Sequence, residues 1–369
     1  MKIAYVTPLH FDGTSYIGGG ERYPLNLARG VAADGTCTVE LISYGAAPAH
    51  RELAPGVTLR VLPGTQPAHP LDVTSWDLVD ALRDADLVHV HQVFTRGGEI
   101  AVLVARQLHK PICVTDHGGG TTRRLESSGA LALADAVVAY SDFGASLVRA
   151  TIPTHVIKGG VDAAFFTPPA TATRDPARRD RVVFVGRWLP HKGIEVLIDA
   201  LPAGLPLTVC GQPYSDDYTA RLRAQVEQRG LDAQVEFVSD RDDAGLRELY
   251  RRAIAVVLPS VYEDAYGNTY LAPELMGFSL LEGMACGAPA VCSRVGAMPE
   301  FVRHGETGFV FDSPDDLHDV LQQLAAAPDL VARLGAAGRL SAADDYDLHV
   351  AGVRMRALYR DLVAARRAA

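Results

Sequence analysis

Short apolar runs, several of them followed by a loop and then a stretch of helical spacing, repeat down the whole chain. Runs at 2–7, 38–43, 58–62, 86–91, 111–116, 136–140 and 154–157 read as strands, with helical patterns at 75–84, 97–109 and 142–150. A second series starts at Arg181-Val-Val-Phe-Val185 and continues at 206–210, 234–238, 254–258, 288–292 and 309–311. Its helical patterns fall at 194–201, 217–228 and 243–252, and the tail is helical over 346–366. Strands alternating with helices predict mostly parallel sheets covered on both faces. Between the series, residues 167–180 are rich in Pro, Ala and charge with no apolar period, which reads as a linker. A chain of 369 residues also exceeds what one core usually serves. The expected fold is α/β, with two doubly wound domains.

Net charge is −9, which argues against a duplex nucleic-acid binder and gives no general attraction to anionic membranes. The start, Met1 to Thr7, is too short and strand-like for a signal peptide, and no apolar run approaches the ~20 residues that span a bilayer. The five cysteines are scattered without metal-site spacing. These features predict a cytoplasmic protein with no integral membrane segment.

Chemistry in such folds collects beyond the carboxyl ends of strands. After the first strand comes Gly18-Gly19-Gly20-Glu21 and then a helical pattern, the place for a phosphate or for a plain flexible loop. It is not a dinucleotide fingerprint, since no GxGxxG follows the strand directly. Leu87-Val-His89-Val-His91 puts both histidines on one side of a strand, where they are satisfied structurally or reach substrate. Thr115-Asp-His117 runs into Gly118-Gly119-Gly120, and the glycines clear space around His117. No third ligand has the spacing of a metal site. In the second series, Arg187 and Lys192 lie between a strand and a helix, where two cations suit a diphosphate or are solvated. Glu274 and Glu282 flank Gly277-Phe278-Ser279-Leu280 at the start of an apolar helix, whose free N–H groups offer an anion site. Alternatively, both glutamates are solvated on a surface helix.

Taken in order, these residues resemble the family-4 retaining glycosyltransferases, with the two-domain GT-B fold. The resemblance runs through Gly18-Gly-Gly-Glu21, Asp86-Leu-Val-His89-Val-His91, Thr115-Asp-His117, Gly160-Val161-Asp162 with Phe166 and Pro168, Val185-Gly186-Arg187 with Lys192-Gly193, Pro259-Ser260, the two glutamates, Met284-Ala-Cys-Gly287, Gly296-Ala-Met-Pro299-Glu300 and Gly305-Glu-Thr-Gly308. It implies two Rossmann-like domains facing across a cleft. Residues 1–166 with a returning C-terminal helix, 346–369, would form the acceptor side, and 181–345 the donor-binding domain.

It also implies roles. Arg187 and Lys192 would hold the diphosphate of a UDP- or GDP-linked sugar. The backbone of Gly277, Phe278, Ser279 and Leu280 would cradle phosphate and sugar. Glu282 would accept from ribose hydroxyls, Glu274 would contact the transferred sugar, and Val238-Ser239 would lie at the base. Gly19 and Gly20 would approach the diphosphate, and His117 the reacting sugar. Fixed cations and N–H groups would replace a metal, so no cofactor or divalent ion is expected. One departure stands out. The family's first glutamate follows Pro-Ser closely, as Glu263 does here, yet Glu274 has the spacing to Glu282, and Asp264 to Pro273 looks inserted. Glu274 is chosen because loop-to-helix geometry fixes its distance to Glu282. The inserted loop is expected to border the donor or acceptor pocket.

For the acceptor, the residues offered are His89, His91, Arg123 and Arg124, the arginines either meeting an anionic acceptor or being solvated. No strongly basic amphipathic helix marks the first half, which favours a soluble small-molecule or natural-product acceptor over a lipid-linked or polysaccharide one. A GT-B sugar-nucleotide epimerase is the rival within the architecture. An NAD-linked oxidoreductase and a non-catalytic sugar-nucleotide binder are disfavoured, the first by the missing fingerprint and the second by the full set of Arg187, Lys192, Glu274, Glu282 and His117.

Overall fold

The computed structural model describes residues 1–8, 19–65, 73–117, 129–148, 152–169, 179–239 and 241–368. They divide into two compact units, Met1–Gly160 with Leu348–Ala369, and Val161–Asp347. Most of the expected linker, including 170–178, lies outside the described residues, as do Gly118 to Gly120, Arg123 and Arg124.

The first unit holds β1 (Lys2–Val6), α1 (Gly19–Ala32), β2 (Thr38–Gly45), β3 (Ala49–Ala54), β4 (Val57–Pro63), α2 (Leu78–Arg83), β5 (Leu87–His91), α3 (Arg96–Gln107), β6 (Ile112–Thr115), β7 (Ala136–Ala139), α4 (Asp142–Ser146) and β8 (Thr154–Val156). Among the described residues its sheet has the order β3-β4-β2-β1-β5-β6-β7-β8, parallel except for β3. Strands β5, β6 and β7 are buried along their whole length, because helices cover both faces, and they are correspondingly rich in Val, Ile and Ala. The sequence pattern missed β3. Its residues, AHRELA, are mostly exposed at the sheet edge and carry no apolar alternation.

The second unit holds β9 (Arg181–Val185), α5 (Ile194–Ala200), β10 (Leu207–Cys210), α6 (Asp216–Gln228), β11 (Val235–Val238), α7 (Asp243–Arg251), β12 (Ala253–Leu258), α8 (Phe278–Ala285), β13 (Ala290–Ser293), β14 (Gly308–Phe311), α9 (Pro314–Ala326) and α10 (Pro328–Asp345). The order β11-β10-β9-β12-β13-β14 is parallel throughout and reverses direction between β9 and β12. Helix starts follow side-chain chemistry. Ser215, Asp242 and Ser313 each accept a backbone N–H of the helix they open. One boundary differs from the sequence reading. Val161–Phe166 packs with the second unit, where Val161 N donates to Tyr346 O (3.1 Å), Ala163 N to Asp347 Oδ2 (3.1 Å), and Phe166 lies edge-on to Tyr250.

The last helix, α11 (Leu348–Ala368), returns to the first unit and packs on α1. The two approach closely at a pair of glycines. A Cβ on Gly30 would lie 2.0 Å from Leu348 O, and one on Gly352 would lie 2.2 Å from Gly30 C. Arg356 then closes the end of α1, donating to Gly30 O (2.6 Å) and Val31 O (3.1 Å) and pairing with Asp34 (3.0 Å). Because this contact has no room for a methyl group, Gly352→Ala should lower unfolding free energy by roughly 1–3 kcal/mol. Urea unfolding of the variant against the parent measures it.

Candidate functional site

In the second unit, the reversal between β9 and β12 places two loops side by side at the carboxyl ends of those strands, the usual ligand position of this topology. The loop after β9 carries Arg187, a short 3-10 turn at Pro190–Lys192, and Gly193. Gly193 has φ +65°, and a Cβ there would sit 2.1 Å from Pro259 O, so only glycine lets this turn press against the end of β12. Lys192 Nζ consequently reaches Glu274 Oε1 at 2.5 Å. Ser260 Oγ donates to the same oxygen at 2.9 Å, and Ser293 Oγ fixes Ser260 by donating to its carbonyl at 2.5 Å. Glu274 is 8% exposed, whereas Glu263 is exposed on the hairpin that precedes it. Of the two glutamates, the structure therefore brings Glu274 to the lysine. Arg187 is exposed and makes no salt bridge among the described residues.

Gly277, at φ +85°, is the N-cap of α8 and offers no side chain to its first turn. The N–H groups at Phe278 and Ser279 thus open the helix without a side-chain cap, an arrangement that favours an anion. Glu282 is inside this helix, 3% exposed, and its Oε2 accepts from Tyr250 Oη at 2.7 Å. Val238 is buried at the end of β11, and Ser239 is exposed, with its carbonyl accepting from Gln212 Nε2. Among the described residues, no group of three or more His, Cys, Asp or Glu is placed to hold a metal ion.

In the first unit, Gly19 and Gly20 begin α1. His89, His91 and His117, from β5 and the end of β6, form a stack, with ring centroids 4.2 Å and 5.1 Å apart. His89 is fully buried with both nitrogens occupied, Nδ1 by Tyr359 Oη (2.6 Å) and Nε2 by Thr115 Oγ1 (2.8 Å). It is a structural residue, which removes it from the acceptor contacts expected from the sequence. His91 is also fully buried, its Nδ1 sharing a hydrogen bond of 3.1 Å with His117 Nε2, and its burial takes it out of the acceptor set.

His91 Nε2 is buried with no hydrogen-bond partner among the described residues. An orphaned acceptor costs less than an orphaned N–H, which favours the tautomer with the proton on His91 Nδ1, shared with His117. His117 Nδ1 in turn shares a hydrogen bond with the Tyr140 hydroxyl. Both ring nitrogens of His117 are therefore engaged. Tyr140, 5% exposed at the end of β7, was missed by the sequence reading. Its only signal is an aromatic residue closing an apolar run.

Burial pushes the pKa of His89 and of His117 down to about 3, and holds His91 well below the usual histidine range. Since the folded state disfavours these protons, the stability from this stack is fully present above about pH 6.5. It falls as pH drops from there toward 3. Thermal unfolding followed between pH 8 and 4 should show this decline, and His89→Gln should flatten it.

Two sequence profiles match the chain, Glycosyltransferase Family 4 over residues 17–165 and Glycosyl transferases group 1 over 172–341. The D-inositol 3-phosphate glycosyltransferase of Jonesia denitrificans is 27% identical over 84% of this chain and 83% of that protein. Its counterpart in Corynebacterium glutamicum is 28% identical over 57% of this chain and 52% of that protein. Sucrose-phosphate synthase from Thermosynechococcus elongatus has the same fold, with TM-score 0.76 at 24% identity over 99% of both chains. So does Anabaena HepE in complex with UDP and glucose, with TM-score 0.74 at 19% identity over 98% of this chain and 100% of that one. With two parallel-sheet α/β units and both profiles in place, the chain belongs to the group 1, family-4 glycosyltransferases, enzymes of GT-B fold that act on nucleotide sugars.

Proposed function

We propose that this enzyme is a retaining glycosyltransferase that takes a sugar from a UDP- or GDP-linked donor held by its second unit and passes it to a soluble small-molecule acceptor. The observation that carries the reading is the Lys192–Glu274–Ser260 cluster beside the uncapped start of α8. A nucleotide sugar supplies both chemistries that this cluster asks for. Its phosphates take the N–H groups of Gly277, Phe278 and Ser279 and the cations of Lys192 and Arg187, while the Leu280 N–H stays on Gly277 O at 3.0 Å. Its sugar hydroxyls donate to Glu274. The base lies at Val238-Ser239 and the ribose near Glu282.

As the bond from C1 to the phosphate oxygen breaks, negative charge grows on the diphosphate, and the two cations and the helix N-terminus stabilise it. The acceptor oxygen bonds to C1 on the same face, and its proton passes to the departing phosphate oxygen. No carboxylate nucleophile is needed, and no step is assigned to a metal. A part for His117 at the sugar requires its hydrogen bond to His91 or Tyr140 to be exchanged for one to the ligand.

UDP as the carrier is supported by the Anabaena neighbour, whose structure contains UDP and glucose. A small polyol acceptor is supported by the relatives named for D-inositol 3-phosphate. Among the described residues, no helix is long and apolar enough to cross a membrane.

In a transfer assay, Glu274→Gln should lower kcat/KM by roughly a hundredfold or more, since it removes the carboxylate shared by lysine and sugar. Glu263→Gln should stay within about threefold, as an exposed surface change does. The reverse order would reassign the sugar contact to Glu263. Activity should also survive full chelation with EDTA, and its loss would show that a divalent ion is required.

A further inference from the structure

The hairpin between Pro259-Ser260 and Glu274 is a stapled unit. Tyr270 N donates to Tyr262 O (2.8 Å), Asp264 N to Asn268 O (2.9 Å) and Gly267 N to Asp264 O (2.9 Å). The Asp264 carboxylate is 6% exposed and organises the tip. Its Oδ1 accepts from the N–H groups of Tyr266 and Asn268, both at 2.9 Å, and its Oδ2 accepts from Tyr270 Oη at 2.7 Å. Burial alone would raise the pKa of this carboxyl, but the hydrogen bonds from Tyr270 and Asn268 outweigh it, and the group is held below its usual range.

The two feet of the hairpin rest on the two halves of the Lys192–Glu274 pair. On one side, the Tyr270 ring packs on the His191 imidazole, with centroids 4.6 Å apart, and Val261 N donates to His191 O at 2.9 Å. His191 is the residue next to Lys192 in the 3-10 turn. On the other side, Tyr262 Oη accepts from Gly296 N at 2.9 Å, and Ala297 N donates to Glu274 O at 3.0 Å. Gly296 is itself pressed on the glutamate, since a Cβ there would lie 2.2 Å from Glu274 O.

We propose that Asp264 and Tyr270 are positioning residues of the donor site, which fix the turn that aims Lys192 at the diphosphate. Neither needs to touch the ligand. A lysine ammonium rides on a flexible stem, and ordering it costs conformational entropy whenever a ligand recruits it. A turn held by a ring on one side and a backbone hydrogen bond on the other meets part of that cost in advance. The inference rests on the donor reading above and adds this chain's hairpin to it.

The test separates a positioning role from a merely structural one by the ligand it affects. Isothermal titration of UDP and UMP, and of GDP and GMP, onto the whole chain gives the selectivity for the second phosphate, which is the one Lys192 would meet. Tyr270→Ala should weaken diphosphate binding by roughly five- to twentyfold while changing monophosphate binding by less than about twofold. Tyr270→Phe keeps the ring on His191 and loses only the bond to Asp264, so it should fall between the parent and Tyr270→Ala. Asp264→Asn should shift selectivity in the same direction. If Tyr270→Ala fails to fold, the Phe and Asn variants carry the test. Unchanged diphosphate affinity, or an equal loss for di- and monophosphate, overturns the proposal. Failure of the unaltered protein to bind either diphosphate overturns the donor reading itself, and this inference with it.

Discussion

A lysine ammonium set on a glutamate carboxylate at the carboxyl end of a parallel sheet is the contact around which the second unit is arranged. The side chains of Lys192 and Glu274 are 18% and 9% exposed, so both charges have left most of their water. Such a pair is costly to bury and costlier still to break, because removing one partner strands the other. The surroundings are built to keep it whole. Ser260 adds a hydrogen bond, Ser293 fixes Ser260, and Gly193 lets the lysine turn lie against β12. A ligand carrying phosphate for the lysine and hydroxyls for the glutamate can separate the two without leaving either unpaired. A solvated surface salt bridge would need none of this support.

The first unit uses a different device. Its strand ends carry imidazoles and phenols rather than charges. Tyr359 of α11 bonds to both Tyr5 (2.7 Å) and His89, so the returning helix is tied into the histidine stack by polar bonds as well as by its glycine contact with α1. These groups are buried neutral, and the hydrogen bonds running through them hold each ring in place. Rings held in this way are rigid parts, suited to supporting a binding surface at the ends of β5, β6 and β7.

How much of this could be read from the sequence follows from how local each feature is. The strands buried on both faces announce themselves as continuous apolar runs, and the alternation with helices carried the two-domain α/β fold. The edge strand β3 was missed because its exposed residues have no such pattern. Glu274 could be preferred to Glu263 because a helix start fixes its own spacing to Glu282, whereas the hairpin's job of gripping His191 and Gly296 leaves no periodic trace. Partners far apart in sequence were also invisible. Nothing near His89 points to Tyr359, 270 positions away, and nothing near His117 points to Tyr140. The sequence therefore left the histidines of β5 between a structural role and an acceptor contact, a choice settled by the long-range partners of His89 and the burial of His91.

The most direct test of the central claim is a thermal-shift panel of UDP-, GDP-, ADP- and TDP-sugars on the parent protein and on Lys192→Met. A ligand bound only by the folded state raises the midpoint by mass action, by about 2.7 kcal/mol of stability at a hundred times its Kd. A clear rise is expected with a UDP- or GDP-sugar for the parent, with most of that rise lost for Lys192→Met. A panel with no shift for the parent, or a shift that the lysine variant keeps in full, would contradict the claim.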